Sequence, residues 1–142
     1  QARSPMPWGG GPNGGFSTAR PWLRTAPDAE SRNVANQERD PSSVLAAYRK
    51  LIWLRRRHPA LQLGAYRQLG SGSHDLLAYE RSTADETVIV AINFGASPAS
   101  YRIRTGRQWT VIFDTHERPT GDVSGGDLLT LGPREALILL AG

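Results

Sequence analysis

Pro59 divides the chain into two patterns of hydrophobicity that cannot belong to one element. Before it, Val44, Leu45, Tyr48, Leu51, Ile52 and Arg55 recur at i, i+3, i+4 and i+7, the rhythm of one helix face. Asp40 is placed to cap that helix and Pro41 suits its first position, so the spacing predicts a helix over 41–58. Pro59 stops it by pushing His58 out of the helical region. Trp53 and Leu54 widen the apolar stripe, which predicts partners on more than one side.

After Leu61 the pattern becomes short apolar runs split by Gly, Pro, Ser and Asp. Strands are expected over 65–69, 75–82, 87–94, 99–104, 109–114, 128–131 and 135–141. The run 87–94 is apolar throughout and reads as a central strand buried on both faces. In 99–104, Tyr101 and Ile103 alternate with Arg102 and Arg104, so the first pair points inward. Seven or eight such strands predict an antiparallel β-sandwich, making the chain mainly β. Residues 1–40 show neither period. Their many Gly and Pro accompany Trp8, Phe16, Trp22 and Leu23, and so long a structureless run is uncommon inside a compact domain. Leaving those aromatics wet costs roughly 25 cal/mol per Å² of apolar surface. The segment is therefore expected to pack on a surface outside this chain.

Few chemistries survive inspection. There is no cysteine, so disulfide and thiol chemistry are excluded, which fits a reducing compartment. No apolar stretch is long enough to span a membrane, and no cofactor motif stands in its proper context. Gly9-Gly10-Gly11-Pro12-Asn13-Gly14 matches G-x-G-x-x-G, but Pro5 and Pro7 precede it where a strand is needed and no helix follows. His58, His74 and His116 are far apart, which argues against a metal site. The net charge of +4 raises nucleic acid as a partner. Sixteen of the seventeen basic residues are Arg, however, and the cluster Arg55-Arg56-Arg57 lies at a helix end, where it complements the dipole. Nucleic acid is thus disfavoured. Glycoside hydrolysis needs two facing carboxylates, roughly 5–10 Å apart. The acids here fall in turns, caps and exposed strand positions; Asp85 and Glu86 are adjacent, and Asp114 suits a turn-capping role. No catalytic residue is assigned. Trp8 and Trp22 are open candidates for stacking on sugar, whereas Trp53 and Trp109 read as core.

A resemblance extends this reading. The chain carries in order Arg3-Ser4-Pro5-Met6-Pro7-Trp8, Pro12-Asn13-Gly14-Gly15-Phe16-Ser17, Arg20-Pro21-Trp22-Leu23 and Asn33-Val34-Ala35-Asn36-Gln37. The helix follows as Asp40-Pro41-Ser42-Ser43-Val44, Tyr48-Arg49-Lys50-Leu51 and His58-Pro59-Ala60-Leu61. This order resembles the C-terminal third of α-glucosidases of the α-amylase superfamily, the thirteenth glycoside hydrolase family. Oligo-1,6-glucosidases, trehalose synthases and sucrose isomerases share much of it. The match is tight to Leu61 and afterwards rests on strand order and on Ala91-Ile92-Asn93-Phe94.

The resemblance implies that residues 1–61 end a (β/α)8 barrel, with 1–40 as the loop after strand eight and 41–58 as the last helix, and that 62–142 form the C-terminal sandwich. It also implies that the family's catalytic carboxylates lie outside this chain. The partners would be the missing barrel of the same polypeptide and an α-glucosidic oligosaccharide, in the cytoplasm. Arg3 matches the arginine that helps hold the terminal glucose in the family, and Phe16 matches the pocket rim. A guanidinium suits that task because its fork donates to hydroxyls while pairing with a carboxylate. Pro7-Trp8-Gly9 replaces the common Gln-Trp-Asp, and the loop after Trp22 departs from Asn-Pro-Asn-Tyr. The alternatives are a stand-alone carbohydrate-binding or structural sandwich, and a fragment of a trehalose synthase or sucrose isomerase.

Overall fold

The computed structural model describes residues 3–104, 106–118, 121–124 and 126–142. They divide into two compact units, Gln1–Ile52 and Trp53–Gly142, each taken by itself.

The second unit is an antiparallel β-sandwich. Its strands are β1 (Ala65–Leu69), β2 (Leu76–Ser82), β3 (Thr87–Asn93), β4 (Ala99–Arg102), β5 (Gln108–Asp114), β6 (Asp122–Ser124), β7 (Leu128–Leu131) and β8 (Ala136–Ala141). One sheet has six strands in the order β1-β2-β3-β8-β5-β6, and the other pairs β4 with β7. The core lies between them and follows the two-residue period of the strands. Leu76 and Ala78, Ile89 and Ala91, Leu137 and Leu139, and Trp109 and Val111 line the large sheet. Tyr101, Ile103, Leu129 and Leu131 oppose them from the small one. The inward direction of Tyr101 and Ile103 is as the alternation requires. Val88 and Val90 are buried as well, so β3 is covered on both faces, while Phe94 falls beyond the strand and is exposed. Trp109 is a core residue, as expected.

Three local features differ from expectation. β6 has no apolar alternation, and only its pairing with residues 108–110 of β5 makes it a strand. The helix over 41–58 begins at Val44, because Asp40 is occupied elsewhere: its carboxylate accepts from the Ser42 hydroxyl at 2.7 Å and the Ser42 amide at 2.9 Å. That turn, led by the Ser42 hydroxyl bond, holds the Asp40 carboxyl below its usual range. Ser43 caps the helix instead, accepting from the Ala46 amide at 3.1 Å. Besides this helix α2 (Val44–Arg57) there are α1 (Val34–Arg39) and α3 (Pro59–Leu63), where one helix was expected. Pro59 both ends α2 and opens α3, since its fixed φ and missing amide suit a first helical position. Glu86 secures that junction, accepting from the Ala60 amide at 2.8 Å and binding His58 Nδ1 at 2.7 Å. Only glycine fits after α3: a Cβ on Gly64 would lie 2.4 Å from the Ala60 carbonyl oxygen.

One edge of the sandwich is closed by charge. Arg118 bridges Asp114 at 2.8 Å and Glu135, and donates to the Thr130 carbonyl at 3.1 Å. Asp114 also accepts the His116 and Arg118 amides, the turn-capping role read from its position. Glu135 also accepts the Gly132 amide. Both carboxylates are buried.

Removing the cation from such a cluster is far costlier than removing an exposed ion pair. Arg118→Leu is expected to destabilise the chain by about 3–5 kcal/mol in urea unfolding, and Arg67→Leu, whose partner Glu80 faces an exposed guanidinium, by under about 1 kcal/mol. Equal costs would contradict the burial argument. Burial pushes the Tyr101 phenol up, opposed by Arg104 and Arg67. The folded state therefore keeps its proton above the ordinary tyrosine range, and stability falls as pH rises past about 10. Tyr101→Phe is expected to flatten that decline in pH-dependent unfolding.

Candidate functional site

The residues singled out for sugar recognition lie in the first unit. Arg3 is exposed in a turn, and among the described residues its guanidinium has no hydrogen-bond or ion-pair partner. The chain then runs without regular structure to Pro7 and Trp8, whose carbonyls accept the Val34 and Ala35 amides of α1 at 2.9 and 3.1 Å. Trp8 and Gly9 both donate to the Gly14 carbonyl, which closes a tight loop around a 3-10 turn at Pro12–Gly15. Asn13, Gly14 and Gly15 all take positive φ. A Cβ on Gly14 would meet Pro7 Cα at 3.2 Å, so glycine is required both for backbone sign and for space. Phe16 ends this turn, half-exposed. No hydrogen bond ties Arg3 to Phe16 among the described residues.

The same geometry disposes of the G-x-G-x-x-G match. The Trp8, Gly9 and Gly14 amides are spent on carbonyls within the loop, leaving them no free N–H to offer a phosphate. Only a four-residue 3-10 turn sits where that motif requires a helix.

Amide side chains hold the rest of the unit. Asn13 Nδ2 donates to the Ser17 and Ala19 carbonyls at 2.9 and 3.2 Å. Asn33 is buried; it caps α1 by accepting the Asn36 amide at 2.9 Å, and donates to the Ala29 and Glu30 carbonyls at 3.0 and 2.9 Å. Asn36 reaches the Ser31 carbonyl at 3.0 Å, and Gln37 Oε1 accepts the Leu45 amide at 3.2 Å. The block Asn33 to Gln37, read from sequence as a family mark, is thus a brace.

The unit also holds an open groove of about 530 Å³, walled by Asn13, Arg20, Pro21, Trp22, Leu23, Arg24 and Thr25. A neighbouring one of about 490 Å³ shares Asn13 and Thr25 and follows Gly10 to Gly14 and then Ala26, Pro27, Ala29 and Glu30. Trp22 is 88% exposed and Trp8 54%, so both remain available for stacking. Sequence reasoning found Trp22 but not the two arginines flanking it. Trp53 departs from expectation: it is exposed rather than core, with the Arg56 guanidinium 5.3 Å from its ring centroid, a cation–π contact at the helix end. No α2 residue is fully buried, and Val44, Tyr48 and Ile52 form an exposed apolar row at four-residue spacing.

Two ion pairs of this unit link its own side chains. Asp28 pairs with Arg32 at 3.3 Å, and Glu38 with Arg49 at 2.7 Å. Among the described residues no cluster of three His or acidic side chains could hold a metal ion. Nor, among them, is any helix long and apolar enough to cross a membrane.

Comparison with known proteins agrees with this arrangement. Residues 1–64 match the family model of the α-amylase catalytic domain, and residues 66–138 that of the maltogenic amylase C-terminal domain. Oligo-1,6-glucosidase of Halalkalibacterium halodurans is 37% identical over 93 residues, 66% of this chain and 17% of that protein. A probable α-glucosidase of Rhizobium meliloti is 39% identical over 98 residues, 69% of this chain and 18% of that protein. The solved trehalulose synthase of Pseudomonas mesoacidophila superposes with a TM-score of 0.88 at 34% identity, covering 99% of this chain and 25% of that one. The chain therefore spans about one fifth of its curated relatives.

The amide brace is directly testable. Asn33→Ala strips the cap of α1 and leaves two carbonyls without their donor, a loss of about 2–3 kcal/mol locally. Amide exchange at Asn36 is expected to quicken by about 30-fold or more, while Asn36→Ala, whose bonds are exposed, has a smaller effect on its neighbours.

Proposed function

Because the chain belongs to the α-amylase superfamily, glycoside hydrolase family thirteen, we propose that it is the C-terminal portion of an α-glucosidase-type enzyme acting on non-reducing α-linked glucose. The observation that carries this reading is the adjacency of two family matches, catalytic domain to residue 64 and C-terminal domain from residue 66, in one short chain. In it, residues 1–61 complete the barrel and 62–142 form the sandwich that stabilises it. The open row Val44, Tyr48 and Ile52 supports this, since an enzyme with its barrel in place has a surface to cover it. The nucleophile and the acid/base of a retaining double displacement would come from that barrel. No cofactor is required, and the enzyme is placed in the cytoplasm.

Within the site, Arg3 holds the terminal glucose and Phe16 shapes the rim of the pocket. The guanidinium of Arg3, exposed and without a partner among the described residues, supports the first role. The half-exposed ring of Phe16 supports the second. A fork of N–H donors suits vicinal hydroxyls better than a point charge does. The likeness to trehalulose synthase favours a second outcome for the same site, isomerisation of a disaccharide in place of hydrolysis. The exposure of Trp22 beside a groove favours a third, a free-standing sugar-binding module.

Activity separates these readings. The 142-residue chain alone is expected to turn over no aryl α-glucoside. Joined in frame behind a family barrel it restores turnover, and Arg3→Ala in that enzyme lowers kcat/KM about 10- to 100-fold, the loss of one charged hydrogen-bonding group. Turnover by the chain alone would refute the fragment reading. An unchanged kcat/KM would remove Arg3 from the site.

A further inference from the structure

The groove beside Trp22 carries a positive charge that a neutral glucan would not compensate. Its walls carry two guanidiniums, Arg20 and Arg24, and no acidic side chain. Both arginines are exposed, and among the described residues neither has a hydrogen-bond or ion-pair partner. The next acid along the chain, Asp28, is already paired with Arg32. Between the arginines stands Trp22, 88% exposed, its indole open to a flat apolar partner. Pro21 stiffens the backbone between Arg20 and Trp22, and Asn13, which also lines the groove, is held by bonds to the Ser17 and Ala19 carbonyls. A neutral sugar would use the indole and accept hydrogen bonds from the guanidiniums, but would leave their two positive charges uncompensated. A bare anion would use the cations and leave the indole wet.

We propose that this groove binds a sugar carrying an anionic substituent, a phosphate ester in the first instance. Its ring lies on Trp22 and its phosphate is held between Arg20 and Arg24. Guanidinium forks match phosphate oxygens in pairs, and charge-assisted bonds are the stronger ones. The inference deepens the glucosidase reading by giving it a subsite for phosphorylated glucosides. Its test involves no catalysis, so its failure leaves that reading standing, and failure of the glucosidase reading leaves the binding result standing.

The test is NMR titration of the 142-residue chain, read at the indole N–H of Trp22, whose signal is identified by its loss in Trp22→Phe. The ligands are glucose 6-phosphate, glucose and inorganic phosphate. Saturable shifts are expected with glucose 6-phosphate, at least about ten-fold tighter than with either component, and weakening as salt is added. The double variant Arg20→Gln/Arg24→Gln is expected to lose that advantage. Arg20→Lys/Arg24→Lys retains part of it, and since all four side-chain changes are at exposed positions, the dispersion of other signals should persist. Equal binding of inorganic phosphate would make this a bare-anion site and overturn the proposal. Equal binding of glucose would make it a neutral-sugar site, and no saturable shift would mean no site; either result overturns it too.

Discussion

Burial of β3 on both faces is the constraint on which the sandwich depends. Val88 to Ala91 are all buried, so two neighbouring strands and two covering layers must exist. β2 supplies one edge through Ile89 opposite Glu80 and Ala91 opposite Ala78. β8 supplies the other through Ile89 opposite Leu139 and Ala91 opposite Leu137. A slip of one residue would exchange the inner and outer sets on every strand, so register is fixed by packing as much as by turns. The strand ends on Asn93, whose buried amide donates to the Ser97 and Gly132 carbonyls at 2.8 and 2.7 Å and accepts the Gly95 amide at 2.9 Å. Beside it Glu135 closes β8 with Arg118. An apolar sheet is thus finished by polar groups whose partners are all inside the fold, which is what makes their burial tolerable.

Most of the sandwich was legible because its strands state their faces locally. Tyr101 and Ile103 against Arg102 and Arg104 need no tertiary information, and neither does the uniform run of β3. What escaped was decided by partners distant in sequence. β6 exists because Trp109 and its neighbours offer an edge to Val123. α3 exists because Glu86, 26 residues away from Ala60, binds an amide that an isolated Pro59-Ala60 step would leave to water. The cap of α2 moved from Asp40 to Ser43 by competition between two local geometries. A carboxylate two residues before a serine closes an Asx turn on it, and a hydroxyl already aimed at Gln37 serves the helix instead. Trp53 was misplaced because a helix face that is apolar in sequence need not be covered within the same chain.

The first unit obeys a different economy. Its fully buried residues are few, among them Gly14, Ala29 and Asn33, while Trp8, Phe16 and Trp22 face outward. Its first forty residues lack hydrophobic periodicity, and their shape comes from Asn13, Asn33, Asn36 and Gln37 bonding main-chain groups that no helix or strand employs. Such bonds leave no periodic trace, so sequence reasoning saw these residues as marks of kinship and not as scaffold. The exposure of Trp22 was legible from its Gly/Pro surroundings. The pairing of that ring with Arg20 and Arg24 around one groove was not, since it depends on how Asn13 folds the preceding turn back toward residue 19.

The recognition proposed for this segment would have a physical consequence. A groove held by side-chain amides has stiff walls and an open mouth, so its geometry can be set without a deep local core. The stiffness rests on individual bonds, each worth about 0.5–1.5 kcal/mol net, and each loss is felt at once at the groove. A sandwich core of twelve mutually packed residues shares any single loss among many neighbours. If the groove binds a ligand as proposed, substitutions that alter binding while sparing the fold are expected at residues 20–24. The sandwich can change its surface freely, but not the alternation of β3. In the proposed enzyme, the barrel would add apolar cover over Val44, Tyr48 and Ile52, stabilising the same segment from outside without altering the bonds that shape it.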